Sequence, residues 1–290
     1  LDTGTLKDQN VIVTGGANGI GAGIVTAFAE AGAYVSILDI NEEMGTALAN
    51  RLSEIGHHVQ FTRADMASFT SQTTAFRSAI AFSPNKTIDI VVANAGVPGN
   101  GILPWLDNGS PSADPEPPST VALDVNLTGI FYTAHLAVHY FRQTVSAGSS
   151  ASSKQLILVS SLAAYIEIPN TLDYTASKFG VRGIWRSLRN SVSILGHYKP
   201  PLRTNLIAPT FIRTAMTTQI ESSVLGSGGK LGEVEDVVAG VLRVATDEGI
   251  SGRALAVAKG EDRAGDRNFD LGDDFEGGGG GVEVPRRMRD

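Results

Sequence analysis

Tyr174 and Lys178 stand four residues apart in "YTASK". On a helix that spacing places both side chains on one face. A phenol with a pKa of about 10 is a poor base at neutral pH. A neighbouring ammonium favours the phenolate, and an opposite charge in contact typically lowers the pKa of an acid by about 1–3. The pair therefore suits proton transfer to or from an alcohol oxygen, worth roughly 10²–10⁴ in rate. Ser161, thirteen residues upstream in "VSSLAAY", ends an apolar run that reads as a strand. Its hydroxyl can hydrogen-bond the same oxygen and hold it for reaction. Taken singly, each has an ordinary role as a core tyrosine, a helix cap or a solvated lysine. Joint occurrence behind a ligand-binding turn favours the chemical reading.

Such a turn stands near the start of the chain. The stretch from Val11 to Ala29 carries no charged residue and is nineteen residues long, enough to span a bilayer as a helix. Glycines at 15, 16, 19, 21 and 23, with Thr14 and Asn18, argue against that; each interior glycine costs a helix about 1 kcal/mol relative to alanine. "NVIVT" is short and β-branched, as a buried strand is. From Gly19 a helical period begins, with Ile20, Ile24, Ala27 and Phe28 on one face. The unit reads as strand, glycine turn and helix. Glycines there admit a pyrophosphate, and the helix N-terminus offers it free N–H groups. Asp39 ends the next strand, eighteen residues after Gly21. Its carboxylate suits the hydroxyls of an adenine ribose and repels a 2′-phosphate. No Lys or Arg lies in the turn or just after Asp39, so NAD is expected over NADP. The plainer role for Asp39 is a helix cap beside "NEE".

Stepping outward, the elements that must position these groups alternate. Strands are expected at 10–14, 34–39, 58–62, 88–93, 155–160, 202–207 and 253–257. Helices are expected near 19–31, 42–55, 68–82, 119–147, 172–195 and 233–246. Near-continuous apolar strands such as "IDIVVA" predict an α/β fold. It would be a single Rossmann-type, doubly wound parallel sheet of about seven strands with helices on both faces. One domain over 1–260 is expected, with long loops at 97–118 and 210–232, followed by a partly flexible tail over 261–290. With 290 residues, 42% of them hydrophobic, the chain is long enough for a large core. The net charge of −7 argues against a nucleic-acid partner. The absence of cysteine excludes disulfides and thiolate metal sites. The N-terminus lacks the basic start and apolar run of a signal peptide, so a cytoplasmic location without membrane attachment is expected. His135 and His139 share a helical face in "HLAVH" but lack further ligands, and no metal is expected. The N-x-[ST] triplets at Asn85, Asn108 and Asn126 read as chance matches.

These motifs, in this order, resemble the classical short-chain dehydrogenase/reductase family over about residues 7–258. Thr14-Gly15-x-x-x-Gly19-x-Gly21 is similar to its cofactor motif, and Asp65 stands where the family has an Asp beside the adenine. Asn94-Ala95-Gly96 is similar to its structural motif after the fourth strand. Asn126 in "DVNLTG", Ser161, Tyr174 and Lys178 match its catalytic tetrad. The resemblance implies cofactor contacts from Gly15, Asn18, Gly19, Ile20, Gly21, Asp39, Ile40, Asp65 and Met66. It implies further contacts from Asn94, Ala95, Gly96, Tyr174, Lys178, Pro209, Phe211, Ile212 and Thr214. It also implies that Lys178 binds the nicotinamide ribose and that Asn126 holds a water in a proton relay; the positive charge of oxidised nicotinamide then adds to the Lys178 ammonium in favouring the Tyr174 phenolate. Pro209-Thr210 departs from the family's usual Pro-Gly.

"VNLTGIFYTAHLAVHYF" and "SGRALAV" resemble a fungal branch of hydroxyaverantin-type and 15-hydroxyprostaglandin-type NAD dehydrogenases. The implied activity is NAD-dependent hydride transfer to or from a bulky hydrophobic secondary alcohol or ketone, in secondary metabolism. Ile102, Leu103, Trp105, Tyr165, Ile166, Ile168, Phe211 and Met216 make the expected pocket apolar. The competing readings are a non-redox enzyme of the same fold, performing cyclisation or dehydration, and a dinucleotide-sensing protein. A homodimer or homotetramer is implied. It would form through helices 119–147 and 172–195, by Ile130, Phe131, Ala137 and Val138, or by Phe179, Ile184 and Leu188.

Overall fold

Seven β-rich runs pair in parallel in a computed structural model that describes residues 2–106, 114, 116–146, 154–191, 202–258 and 268–273. They are β1 (Asn10–Thr14), β2 (Tyr34–Asp39), β3 (His58–Arg63), β4 (Ile90–Ala93), β5 (Gln155–Val159), β6 (Arg203–Pro209) and β7 (Ala254–Val257). Their order is β3-β2-β1-β4-β5-β6-β7. The order reverses between β1 and β4, which opens a crevice beyond their carboxyl ends, where such sheets bind ligands.

The helices are α1 (Gly19–Glu30), α2 (Glu42–Glu54), α3 (Phe69–Phe82), α4 (Leu103–Leu106), α5 (Val121–Leu123), α6 (Ile130–Ser146), α7 (Leu172–Ser191), α8 (Glu221–Gly226) and α9 (Val234–Thr246). Alternate strand residues face opposite sides. Val11 and Val13 join Ile24 and Phe28 of α1, Leu48 of α2 and Val241 of α9 in one core layer. Ile12 joins Phe76 of α3, Ile130 and Phe141 of α6 and Trp185 of α7 in the other. Each such side chain, fully buried, contributes about 1.5–3 kcal/mol. Coverage on both faces is why the strands read as unbroken apolar runs. The uncharged Val11–Ala29 stretch divides into β1, a turn and α1, and so forms no spanning helix. Val121–Arg142 is long and apolar enough to cross a membrane by length and composition, but its inner face packs on the sheet through Ala134, Ala137 and Phe141.

Three expectations are corrected. The helix over 119–147 is interrupted: a π-helical stretch, Asp124–Gly129, separates α5 from α6. Such wide turns recur at functional sites. The tail over 261–290 contributes an eighth strand, β8 (Asn268–Asp270), antiparallel to β7 with Leu255 opposite Asp270. Three residues without an apolar run give no strand signal. Finally, Ile130 and Ala137 lie in the core and cannot carry an intersubunit face, whereas Phe131 and Phe179 are exposed. Residues 107–113 and 115 of the 97–118 loop, and residues 261–267 and 274–290 of the tail, fall outside the described residues.

Candidate active site

The turn after β1 needs its first glycine. Gly15 has φ +63°, and a Cβ there would lie 2.6 Å from the Cα of Ala95. Only glycine meets both conditions cheaply. Asn94 braces the same turn: its Nδ2 donates to the carbonyls of Thr14 and Gly15, both at 3.1 Å. The backbone amides of Asn94 and Ala95 donate to Thr14 Oγ1 at 3.1 and 3.2 Å. Asn94 and Ala95 thus shape the cradle. Asn18 caps α1 without a side-chain hydrogen bond, and the first turn of α1 carries no acid. The opening N–H groups at Gly19, Ile20 and Gly21 have no intrahelical acceptor, and their partial positive charge is uncompensated. An anionic diphosphate fits that end.

Asp39 is buried at the end of β2. Its Oδ2 accepts from Ala17 N at 2.9 Å and its Oδ1 from Asn41 N at 2.9 Å. Each oxygen keeps a lone pair for a ribose hydroxyl. The helix-cap role falls to Asn41, whose Oδ1 accepts from Met44 N at 3.0 Å. Across the crevice Asp65 is half-buried and accepts from Ala67 N at 2.9 Å, while Ile40 is exposed. Met66 and Ile212 have buried side chains, so they frame the crevice more than they line it. Thr214 reaches over the turn, its Cγ2 3.5 Å from where a Gly19 Cβ would be. Thr210 needs no left-handed backbone. Its N–H donates to Val257 O at 2.8 Å, so the chain leaves Pro209 on an ordinary path and Phe211 is half-buried beyond it.

The second half of the site hangs on β5 and α7. Ser161 follows β5 and caps a short 3-10 turn, Leu162–Ala164, accepting from Ala163 N at 3.1 Å and donating to Pro209 O at 3.4 Å. Ser160 Oγ donates to Lys178 O at 3.0 Å and fastens α7 to the strand end. Lys178 is buried, its Nζ donating to Val159 O at 3.3 Å and lying 5.6 Å from the centre of the Tyr174 ring. Burial pulls its pKa down to about 8. Burial pushes the Tyr174 phenol above its ordinary value, and the neighbouring Ser161 hydroxyl works against that rise. In the protein by itself desolvation outweighs that help; the expected shift toward phenolate rests on Lys178 together with the positive charge of an oxidised nicotinamide. Asn126, in the π-helical stretch, is fully buried. Its Oδ1 accepts from Val97 N at 2.8 Å, and its Nδ2 donates to Val97 O at 2.9 Å and Ser177 Oγ at 3.3 Å. Both amide donors are thus committed, and the side-chain oxygen keeps one acceptor position.

Of the expected pocket residues, Ile102, Leu103, Ile166 and Met216 are exposed, and Tyr165, Ile168 and Phe211 are half-buried. The side chain of Trp105 lies outside the described residues. His135 and His139 are surface residues beside Phe69 and Tyr140. One group escaped the sequence reading. Asp273, beyond β8, is buried and ion-paired with Arg182 of α7; Arg186 Nη1 stands 3.9 Å away. Tyr165 Oη donates to Asp273 Oδ2 at 3.2 Å, and Arg182 Nη1 donates to Ala164 O at 3.0 Å. The C-terminal segment thereby clamps the turn that carries Ser161. A cluster of arginines at 182, 186 and 189 was the available signal.

A family model described as short chain dehydrogenase matches residues 9–224. The chain is 40% identical to 5'-hydroxyaverantin dehydrogenase of Dothistroma septosporum, over all of this chain and 95% of that protein. It is 41% identical to a Phoma sp. protein named NADP-dependent dehydrogenase M3, over 96% of this chain and 84% of the other. The 3-ketoacyl-(acyl-carrier-protein) reductase structure from Brucella melitensis, complexed with NADH, superposes with a TM-score of 0.73 at 22% identity. It covers 88% of this chain and 98% of that one, a likeness of fold alone. The family match runs from β1 to α8 and takes in the glycine turn, Ser161, Tyr174 and Lys178, so the chain belongs to the short-chain dehydrogenase family of oxidoreductases.

Proposed function

We propose that the protein interconverts a bulky apolar secondary alcohol and its ketone with NAD as the hydride carrier. The observation that carries this reading is the convergence of Ser161, Tyr174 and buried Lys178 beside a cradle open to a diphosphate. Ser161 Oγ and Tyr174 Oη would grip the substrate oxygen; for alcohol oxidation the Tyr174 phenol would first release its proton to solvent, helped by Lys178 and the charge of the bound cofactor, and its phenolate would then take the alcohol proton. Lys178, charged below about pH 8, would hold the nicotinamide ribose and support the phenolate as it forms. Bound NAD supplies the hydride acceptor.

Asp39 supports NAD over NADP, because a 2′-phosphate would meet a buried carboxylate already fixed by two amides. The Phoma relative carries NADP in its name, which makes the preference worth a direct measurement. Exposed Ile102, Leu103, Ile166, Met216 and Ile220 give the mouth an apolar rim, as a bulky hydrophobic substrate needs. Exposed Phe131 and Phe179 support two-fold pairing of subunits through α6 and α7. Light scattering at micromolar concentration should return at least a dimer's mass, and a monomer would reject the pairing. The reading of the site itself is tested by NADH absorbance with a panel of ring-bearing secondary alcohols. Product formed with no change in NADH would point instead to non-redox chemistry.

A further inference from the structure

Asp173 precedes the proposed base, and none of the roles above uses it. Its carboxylate joins two segments 72 residues apart. Oδ1 accepts from the backbone N–H of Tyr174 at 2.9 Å and from that of Gly101 at 3.3 Å. Oδ2 accepts from Asn100 N at 2.9 Å. Asn170, one turn earlier, accepts from Ile102 N at 2.8 Å. The approach is close: a Cβ on Gly99 would lie 2.1 Å from Asp173 Oδ1. Desolvation favours the neutral acid, but the amides of Asn100, Tyr174 and Gly101 outweigh it and hold the carboxyl below its ordinary value. The three bonds are therefore charge-assisted at any assay pH near neutrality. At its start the same loop is held by Asn126 through Val97. Its outgoing arm, at Asn100 and Pro104, and its returning arm, at Glu116 and Ser119, line one small cavity against Asp173.

We propose that Asp173 is a positioning residue for substrate choice: one carboxylate fixes the entrance of the 97–118 loop to the backbone of Tyr174, so that Ile102 and Leu103 stand at a set distance from the reacting hydroxyl. The inference rests on the redox reading above for its substrate. A bulky alcohol needs the loop wall in place, whereas a small one reacts at Ser161 and Tyr174 without touching it. The cofactor contacts proposed above, at the turn after β1, at Asp39 and at Lys178, receive no hydrogen bond from Asp173.

The test compares Asp173→Ala and Asp173→Asn with the unaltered protein. In Asp173→Ala, hydrogen exchange over residues 97–104 should quicken tenfold or more, while the Kd for NAD stays within twofold. kcat/KM for tetralol should fall tenfold or more, chiefly through KM, and that for isopropanol should change less than threefold. Asp173→Asn keeps an oxygen for Tyr174 and Gly101 but turns an NH₂ toward Asn100, so its effects should be smaller in both readouts. Unchanged exchange over 97–104 in both variants would overturn the proposal. An equal fall for both alcohols, carried by kcat, would also overturn it, since that outcome marks damage to Tyr174 itself. Should the unaltered protein fail to reduce NAD with either alcohol, the redox reading alone fails, and the exchange measurement still decides whether Asp173 anchors the loop.

Discussion

Cofactor affinity should weaken as pH rises, and Lys178 sets the magnitude. Burial lowers its pKa from 10.5 to about 8 in the protein alone. If only the ammonium form holds the ribose, the apparent Kd is multiplied by 1 + 10^(pH − pKa). That factor is about 1.1 at pH 7 and about 11 at pH 9, a tenfold loss or about 1.4 kcal/mol. In the free protein the Tyr174 phenol lies above its ordinary value, and Tyr174→Phe carried through the same titration removes any contribution from it in the complex. The folding equilibrium moves the opposite way. Between about pH 8 and 10.5 the unfolded chain keeps a proton that the folded chain has released, so this group makes the free protein more stable as pH rises. Titrating NAD by protein fluorescence at pH 7, 8 and 9 and constant ionic strength reads the first effect. Lys178→Met should bind weakly at every pH, with no slope. A flat profile in the unaltered protein, or the same slope in Lys178→Met, would refute the argument.

Tyr174→Phe should leave folding and NAD affinity intact while turnover falls by about 10² or more, the usual worth of a positioned acid–base group; retained NADH formation would remove Tyr174 as the base. Its combination with Lys178→Met should be little worse than the worse single variant, since the two act as a unit. Asp39→Ser should shift the ratio of Kd values toward NADP by tenfold or more, because Arg63, exposed and opposite Asp39 in the β2–β3 register, would then meet the 2′-phosphate unopposed; an unmoved ratio would deny Asp39 its role. Asp273→Asn should lower stability by about 3 kcal/mol, the lower end for breaking a buried ion pair, as Arg182 keeps some exposure. Thermal unfolding checks this, and a change below about 0.5 kcal/mol, ordinary for a surface site, would show that the C-terminal clamp holds little.

The parts of the fold that were legible in the sequence share one property: their signal is local and repeated. β1 and β2 end where their β-branched runs end, at Thr14 and Asp39, and the glycine turn lies between two periods that cannot continue through it. Tyr174 and Lys178 have a local signal of the same kind, since four residues on one helix put them on one side, whereas Ser161 joins them only because α7 packs on the end of β5. Even there the chemistry was only half legible. The charge balance at Tyr174 depends on how deeply the site is buried, which no spacing records, and desolvation proved the larger influence.

Single polar contacts between distant segments have no period, and they are what the sequence concealed. Asp273 lies 91 residues from Arg182, in a stretch whose composition reads as solvent-exposed, yet it is buried against α7. Asp173 looks like one more acid at a helix start until Asn100 and Gly101 are placed on it. The π-helical stretch at Asn126 is hidden because no residue in "DVNLTG" breaks a helix, although the wide turn presents Asn126 to Val97. All three converge on the substrate side of the cleft, around the 97–118 loop and the turn after Ser161. The cofactor side is built from strand ends and a helix N-terminus, whose groups follow from the fold itself. The substrate side is held by individual carboxylates and amides that bridge segments. A change of substrate within this fold would therefore require few substitutions there and none in the glycine turn.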